Sequence, residues 1–229
     1  MAGSAAPRVL LSRSALQRNA DALLSAGGVV DLRHDAFGHG ADEVAPVVRA
    51  AGATRVLVDA TDAVPALSAR GVAAGTGEAT ADPHELFGIP RDGGAAPAEP
   101  VMRLEGRVIS TKPLRAGEAV SYGYTHRAER DTLVALVTGG YAQGILRALG
   151  NRSRVQIGDR THPVIGRIAM DVCVVDLEGI DAPVGAPVVF FGGAGPVRDA
   201  LGRWSAVTGL TALEMAVVIG RHVEREWIA

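Results

Sequence analysis

The chain has 229 residues, a formal net charge of -2, and 48% hydrophobic but only 4% aromatic residues. That length can bury one large core or two small ones. Charges of both signs are scattered without a basic stripe, which argues against nucleic-acid binding, and no apolar run is long enough to span a bilayer. A single cysteine, Cys173, excludes an internal disulfide, and its place in the apolar run Val172–Val175 reads as a buried inert thiol. Met1–Pro7 lacks the charged-then-apolar layout of a signal peptide. The expectation is a soluble cytoplasmic protein. Abundant Ala, Gly and Arg beside one lysine suggest a GC-rich bacterial genome.

In chain order, Arg8–Leu11 reads as a short strand. Ser14 and Gln17 have capping-box spacing, so a helix is expected from there to Gly27, with Leu16, Ala20, Leu23 and Leu24 on one face. Val29–Leu32 is a strand that opens into the glycine-rich stretch Arg33–Gly40. Val44, Val47 and Val48 give the next helix its apolar face, and Gly52 ends it. Arg55–Val58 is a strand and Thr61–Arg70 a helix closed by Gly71. This β-α-β-α order favours parallel strands with a right-handed crossover. Val72–Pro100 has no sustained period and reads as a linker with one docked turn at Glu85–Pro90.

Beyond Val101 the chain becomes β-rich. Strands are expected at Val101–Ser110, Thr132–Val137, Arg154–Ile157, His162–Met170, Val172–Leu177 and Pro187–Phe191, forming a small antiparallel barrel or sandwich. Thr111–Glu118 reads as a polar turn that exposes Lys112. Asp199–Thr208 and Thr211–Glu224 are closing helices, and Trp227 with Ile228 adds a terminal strand or packing contact. Gly192–Gly195 lacks the Lys and Ser/Thr of a phosphate loop and reads as a turn. His84, His162 and His222 have no metal-ligand spacing; no metal site is expected. His39, in a glycine-bounded turn, is expected to brace its loop by a hydrogen bond.

Several stretches together resemble one family. Asp35-Ala36-Phe37-Gly38-His39-Gly40 is similar to the second half of the K-A-D-A-Y-G-H-G loop of the fold-type III alanine racemases. Arg115–Gly123 resembles their P-A-G-E-x-V-S/G-Y-G segment. Gly140–Gly144 with Arg147–Arg152 resembles G-Y-A-D-G…R-x-L-S-N-R, and Pro163–Asp171 resembles P-V-V-G-R-V-C-M-D. The resemblance implies an α+β fold. About two βα units, a remnant of a (β/α) barrel over 8–75, and a linker over 76–100 would precede an antiparallel β domain with closing helices over 101–229. A complete barrel takes about 250 residues, so the strands that would cradle pyridoxal phosphate are missing.

The same resemblance puts the Schiff-base lysine at Arg33. A Schiff base needs a neutral amine, and arginine stays charged in proteins. No pyridoxal cofactor is therefore expected. The resemblance also implies that Tyr122 is the tyrosine that moves a proton on one face of the substrate. Tyr141 would line the pocket, Met170 would meet the substrate carboxylate, and Asp171 is its neighbour. A two-fold homodimer sharing its sites is implied as well. His126 and His34 depart from the family pattern and could form a proton shuttle, since histidine titrates near working pH. Three readings follow. The first is a cofactor-independent enzyme of isomerase, lyase or cyclase type, using Tyr122, His126, Arg33 and Asp35 on a small organic substrate bound by Tyr141, Met170, Asp171 and His34. The second is a non-catalytic small-molecule-binding or regulatory homodimer. The third is residual racemase-type pyridoxal chemistry through Lys112, or in complex with a complete homologue.

Overall fold

A long strand, β5 (Met102–Leu114), organises the β-rich half of the computed structural model, which describes residues 6–59, 67, 73–75 and 77–229. From Met102 to Val108 its residues alternate between buried and half-buried, the two-residue period of a strand with one face on a core. A register shift between Val108 and Ser110 bends it, so each half serves a different neighbour. The first half pairs antiparallel with β12 (Pro187–Phe191), the second with β8 (Thr132–Thr138). From β8 the ladder continues through β11 (Val172–Asp176), β10 (Arg160–Ile165) and β9 (Arg154–Ile157) back to β12. These six antiparallel strands close on themselves, which removes exposed strand edges. Gly106 lies at the bend because a Cβ there would meet the Thr138 carbonyl at 2.2 Å.

Lys112 lies within β5, paired with Val134, and not in the turn that its polar neighbours suggest. The bent strand continues past the bulge and carries these polar residues on an exposed stretch. The expected strand His162–Met170 ends at Ile165, because Gly166 takes a positive φ of 71° and turns the chain toward Ser121.

The sheet also extends outward from β5. Strand β1 (Arg8–Ser12) pairs antiparallel with β5 and parallel with β13 (Glu224–Ile228). The 8–75 unit is therefore divided: its first strand belongs to the large sheet. Helix α1 (Arg13–Leu24) starts two residues earlier than the Ser14 signal suggests, because the Ser12 side chain accepts from the Ala15 amide. The parallel remnant is β2 (Gly28–Asp31), β3 (Ala53–Leu57) and β4 (Ala74–Gly75), with α2 (Ala41–Ala50) as crossover. Thr80 and Ala81 donate to the Val29 carbonyl and cover the outer edge of β2. The helix expected over 61–70 lies outside the described residues, apart from Leu67.

The linker does more than connect. Its helix α3 (Pro83–Phe87) buries Leu86 and Phe87, and Ile89 follows them into a core continuous from Val9 to Val223. Two closing helices, α4 (Ala200–Thr208) and α5 (Ala212–His222), pack over this core. Thr211 and Glu214 form a reciprocal cap at the start of α5, whose Ala212, Met215, Ala216, Ile219 and Gly220 make one buried stripe.

That stripe carries the closest backbone contact between the two halves. A Cβ on Gly38 would lie 2.6 Å from the Ala216 carbonyl, and one on Gly220 only 2.2 Å from the Gly38 carbonyl. Gly220→Ala should therefore force the loop off the helix and cost about 2–3 kcal/mol, lowering Tm by roughly 5–10 °C. An unchanged melting curve would show that this seat is not needed.

Candidate functional site

The stretch Arg33–Gly38, read as an open loop, is a left-handed helical turn. His34, Asp35, Ala36 and Phe37 all have φ between 52° and 57°. Each L-residue in this conformation costs about 1–2 kcal/mol, so the surroundings must hold it. Asp35 is the main tether: one carboxylate oxygen accepts the Ala41 amide at 2.8 Å and the other pairs with Arg225. Arg225 also donates to the Gly38 carbonyl at 3.2 Å. His39 closes the turn as expected from its glycine neighbours. Its Nδ1 faces the Ala36 carbonyl at 2.9 Å, and its ring stacks on Phe87 at 4.1 Å.

The side chains at the mouth of this turn are engaged with one another. The Arg33 guanidinium forks onto the Asp31 carboxylate, with Nε at 2.9 and 3.1 Å from its two oxygens, and the Arg33 amide adds a third donor at 2.9 Å. Partial burial would raise the Asp31 pKa, but these hydrogen bonds and the guanidinium charge outweigh it and hold the carboxyl below its usual range. Arg33 is correspondingly held more firmly in its charged form. The His34 amide donates to Asp59, and its imidazole lies 3.5 Å from the same carboxylate.

Tyr122 lies elsewhere, on the segment between β6 (Ala119–Val120) and β7 (His126–Arg127). It is 82% exposed, and nearby Tyr124 is 69% exposed. The turn is fixed from below: the Ser121 hydroxyl donates to the Arg167 carbonyl at 2.6 Å, and Gly123 leaves room for the Arg167 guanidinium. His126 pairs with Val120 across the small ribbon. Tyr141, Met170 and Asp171 form a neighbouring group. The Tyr141 and Ala142 amides donate to the Ala169 and Met170 carbonyls, and Gln143 bridges Gly140 to Asp171. Between the two groups lies a depression of about 450 Å³ lined by Arg147, Arg152, Arg167, Asn151 and Thr125. Arg147 also stacks over the Tyr141 ring at 5.2 Å. This arginine-rich floor suits a small carboxylate.

Within one chain the expected site residues thus fall into two places. Helix α5 stands between the left-handed turn and the Tyr141 segment: Ala216 and Gly220 meet the turn, while Val218 and Ile219 on another face meet Gly144 beside Tyr141. Among the described residues, no hydrogen bond, ion pair or ring contact joins Arg33, His34 or Asp35 to Tyr122 or His126. No three His, Cys, Asp or Glu side chains among them gather as metal ligands. Sequence reading missed Asp31, Asp59 and Arg225 as partners and Arg147, Asn151 and Arg167 as the floor. Of these, only Asp31 leaves a local signal, an acid two residues before Arg33.

The β-rich half matches the family model described as alanine racemase, C-terminal domain, over residues 101–227, more than half of the chain. The chain belongs to this alanine racemase family. It is 38% identical over 130 residues to an alanine racemase of Chlorobaculum tepidum, covering 56% of this chain and 33% of that protein. It is 47% identical over 95 residues to one of Mycolicibacterium vanbaalenii, covering 41% and 24%. The chain thus spans about a third or less of the length of these curated relatives. Among solved structures, alanine racemase from D-cycloserine producing Streptomyces lavendulae superposes with a TM-score of 0.84 at 18% identity, covering 99% of this chain and 98% of that one. The likeness in fold therefore extends to the first half of the chain.

The braced histidine gives a pH prediction. Burial of the whole ring pushes the His39 pKa from 6.5 down to about 4. The unfolded chain takes up a proton below pH 6.5 that the folded chain refuses until about pH 4. Stability should fall by about 3 kcal/mol across that window and stop falling from this cause below it. Urea unfolding from pH 7 to 4 should show the slope in the wild type and a shallower one in His39→Gln.

Proposed function

We propose that this alanine-racemase-family protein works without a pyridoxal Schiff base and binds a small organic acid at a site shared between two copies of itself. The observation that carries the reading is the Arg33 guanidinium forked onto Asp31. At the position where the resemblance puts an amine, a permanently charged group is already paired. Lys112, the single lysine of the sequence, offers no substitute. It lines a cavity of about 310 Å³ with Ser110, Ser121, Val120, Val134 and Val174, a wall without the guanidinium or glycine loop that a phosphate needs. The residues present do not fit pyridoxal phosphate.

The case for a second copy comes from exposure. Tyr122, Tyr124, Tyr141 and Met170, at 82, 69, 38 and 55% exposed, gather large apolar groups around the arginine-lined depression. Such surfaces mark interaction sites. Since α5 separates the Tyr141 segment from the left-handed turn of its own chain, the turn that faces it belongs to a partner. Arg147 and Arg167 would hold the carboxylate, and Tyr141 and Met170 would cover the ligand body.

A second reading, acid/base catalysis of isomerase, lyase or cyclase type, is favoured by one pair. His34 beside Asp59, 3.5 Å apart, has the make-up of an oriented proton carrier. Docked opposite Tyr122, with His126 nearby, it would supply the proton that the phenol gives up.

Two measurements test these readings. Sedimentation should give a dimer for the wild type and a folded monomer for Met170→Glu; a monomeric wild type would overturn the shared site. Pyridoxal phosphate followed by borohydride should leave the chain unmodified, and a pyridoxyl group fixed on Lys112 would overturn the cofactor-free reading. Turnover of any acid that binds, lost in Tyr122→Phe and in His34→Gln, would decide for catalysis over binding alone.

A further inference from the structure

The glycine-rich turn Gly192–Gly195, which lacks the residues of a phosphate loop, borders a cavity on the other side of β5. The cavity has a volume of about 250 Å³ and lies where the ends of β1 and β13 meet the start of β5. Arg103 from β5 and Arg198 from the segment before α4 both line it. Each carries a buried Nε–H without a hydrogen-bond partner. Those two Nε atoms are closed off from solvent; what the cavity meets is the outer guanidinium edge of each side chain, 36 and 40% exposed.

The chain's own acceptors engage these two guanidiniums only in part. Glu105 lies 3.3 Å from Arg103 but also 3.7 Å from Arg107, so one carboxylate serves two guanidiniums. Asp199 is 3.8 Å from the Arg198 Nε, beyond hydrogen-bond reach, and accepts the Ala96 amide instead. Glu99 also lines the cavity but is held by Arg18 at 2.7 and 3.0 Å. Arg198 also donates from Nη2 to the Ala98 carbonyl at 2.6 Å; of the charged side chains that line the cavity itself, two are arginines, Arg103 and Arg198, and one is Glu99.

The glycine turn completes the site. Gly192 and Gly193 have φ of 81° and 68°, a conformation that L side chains rarely adopt. A Cβ on Gly192 would meet the Met102 carbonyl at 2.0 Å, and one on Gly193 the Arg103 side chain at 3.2 Å. The turn thus lies directly on Arg103. Its Gly193 and Ala194 amides donate to no other group among the described residues. The opposite wall is apolar, made by Leu10, Val101 and Ile228.

We propose that this cavity binds a small organic oxyanion, a carboxylate on a short apolar body, separately from the site around Tyr122. The carboxylate would pair with the exposed edges of the two guanidiniums and take the turn amides. The apolar body would lie against Leu10, Val101 and Ile228.

The test is a titration of the full chain with sodium isobutyrate, followed by amide NMR. Saturable shifts are expected at Gly193 and Ala194. Arg198→Met should weaken them about tenfold, the equivalent of one charge-assisted hydrogen bond. Ala194→Glu, at an exposed position, should abolish them while the melting temperature stays unchanged. Arg167→Met should leave them intact, which separates this cavity from the arginine depression near Tyr122. Absence of saturable shifts at these amides, or affinity unaltered in Arg198→Met and Ala194→Glu, would overturn the proposal. Saturation by inorganic phosphate alone would overturn the organic ligand class.

Discussion

The contact between Gly38 and Gly220 is the hinge of the molecule. Two backbones approach so closely that neither position tolerates a side chain. On one side of that contact is a turn with four left-handed residues; on the other is the buried stripe of α5. The turn would relax if it were free. It is kept by the helix behind it, by Arg225 from the last strand, and by Phe87 from the linker, stacked on His39. Three parts of the chain that are far apart in sequence thus combine to hold one unfavourable backbone.

The motif divides into residues that shape the turn and one residue at its mouth. Asp35, Gly38, His39 and Gly40 are the part of the motif that builds the turn, and all are present. Arg33 stands at the mouth of the turn and is ion-paired with Asp31. The same separation recurs in the second half. The residues that shape the platform, Ser121, Gly123, Asn151 and Gly166, are fixed by short hydrogen bonds and tight contacts. The side chains it presents, Tyr122 and Met170 above all, point into solvent. A scaffold can keep its shape while the activity mounted on it is altered, and fold alone does not decide function.

The strands were legible where alternation and turn residues agree, as at Arg154–Ile157 and Pro187–Phe191, and so was the burial of Cys173. Thr211–Glu224 was legible through its apolar stripe, although the last residues leave the helix for β13. What escaped depends on partners distant in sequence. Four consecutive non-glycine residues with positive φ contradict every local preference, so the turn cannot be read without Gly220 and Arg225. The role of Asp35 as a tether was hidden for the same reason: Arg225 is 190 residues away. The sequence offered candidate residues for the site by type alone. Their division between two faces of α5 was not legible, because that follows from how the helix packs.

One consequence concerns the order in which the molecule can be assembled. Strand β1 lies between β5 and β13, with Arg8 opposite Glu224 and Ser12 opposite Ile228. Strand β1 must therefore wait until Glu224–Ile228 has been made before its outer neighbour exists. Contacts of such long separation carry a large loop-closure cost and slow the search for the native state. The closed β-barrel, made only from residues after Val101, can form first as a nucleus. The α/β remnant then docks late, and β1 and β13 join last.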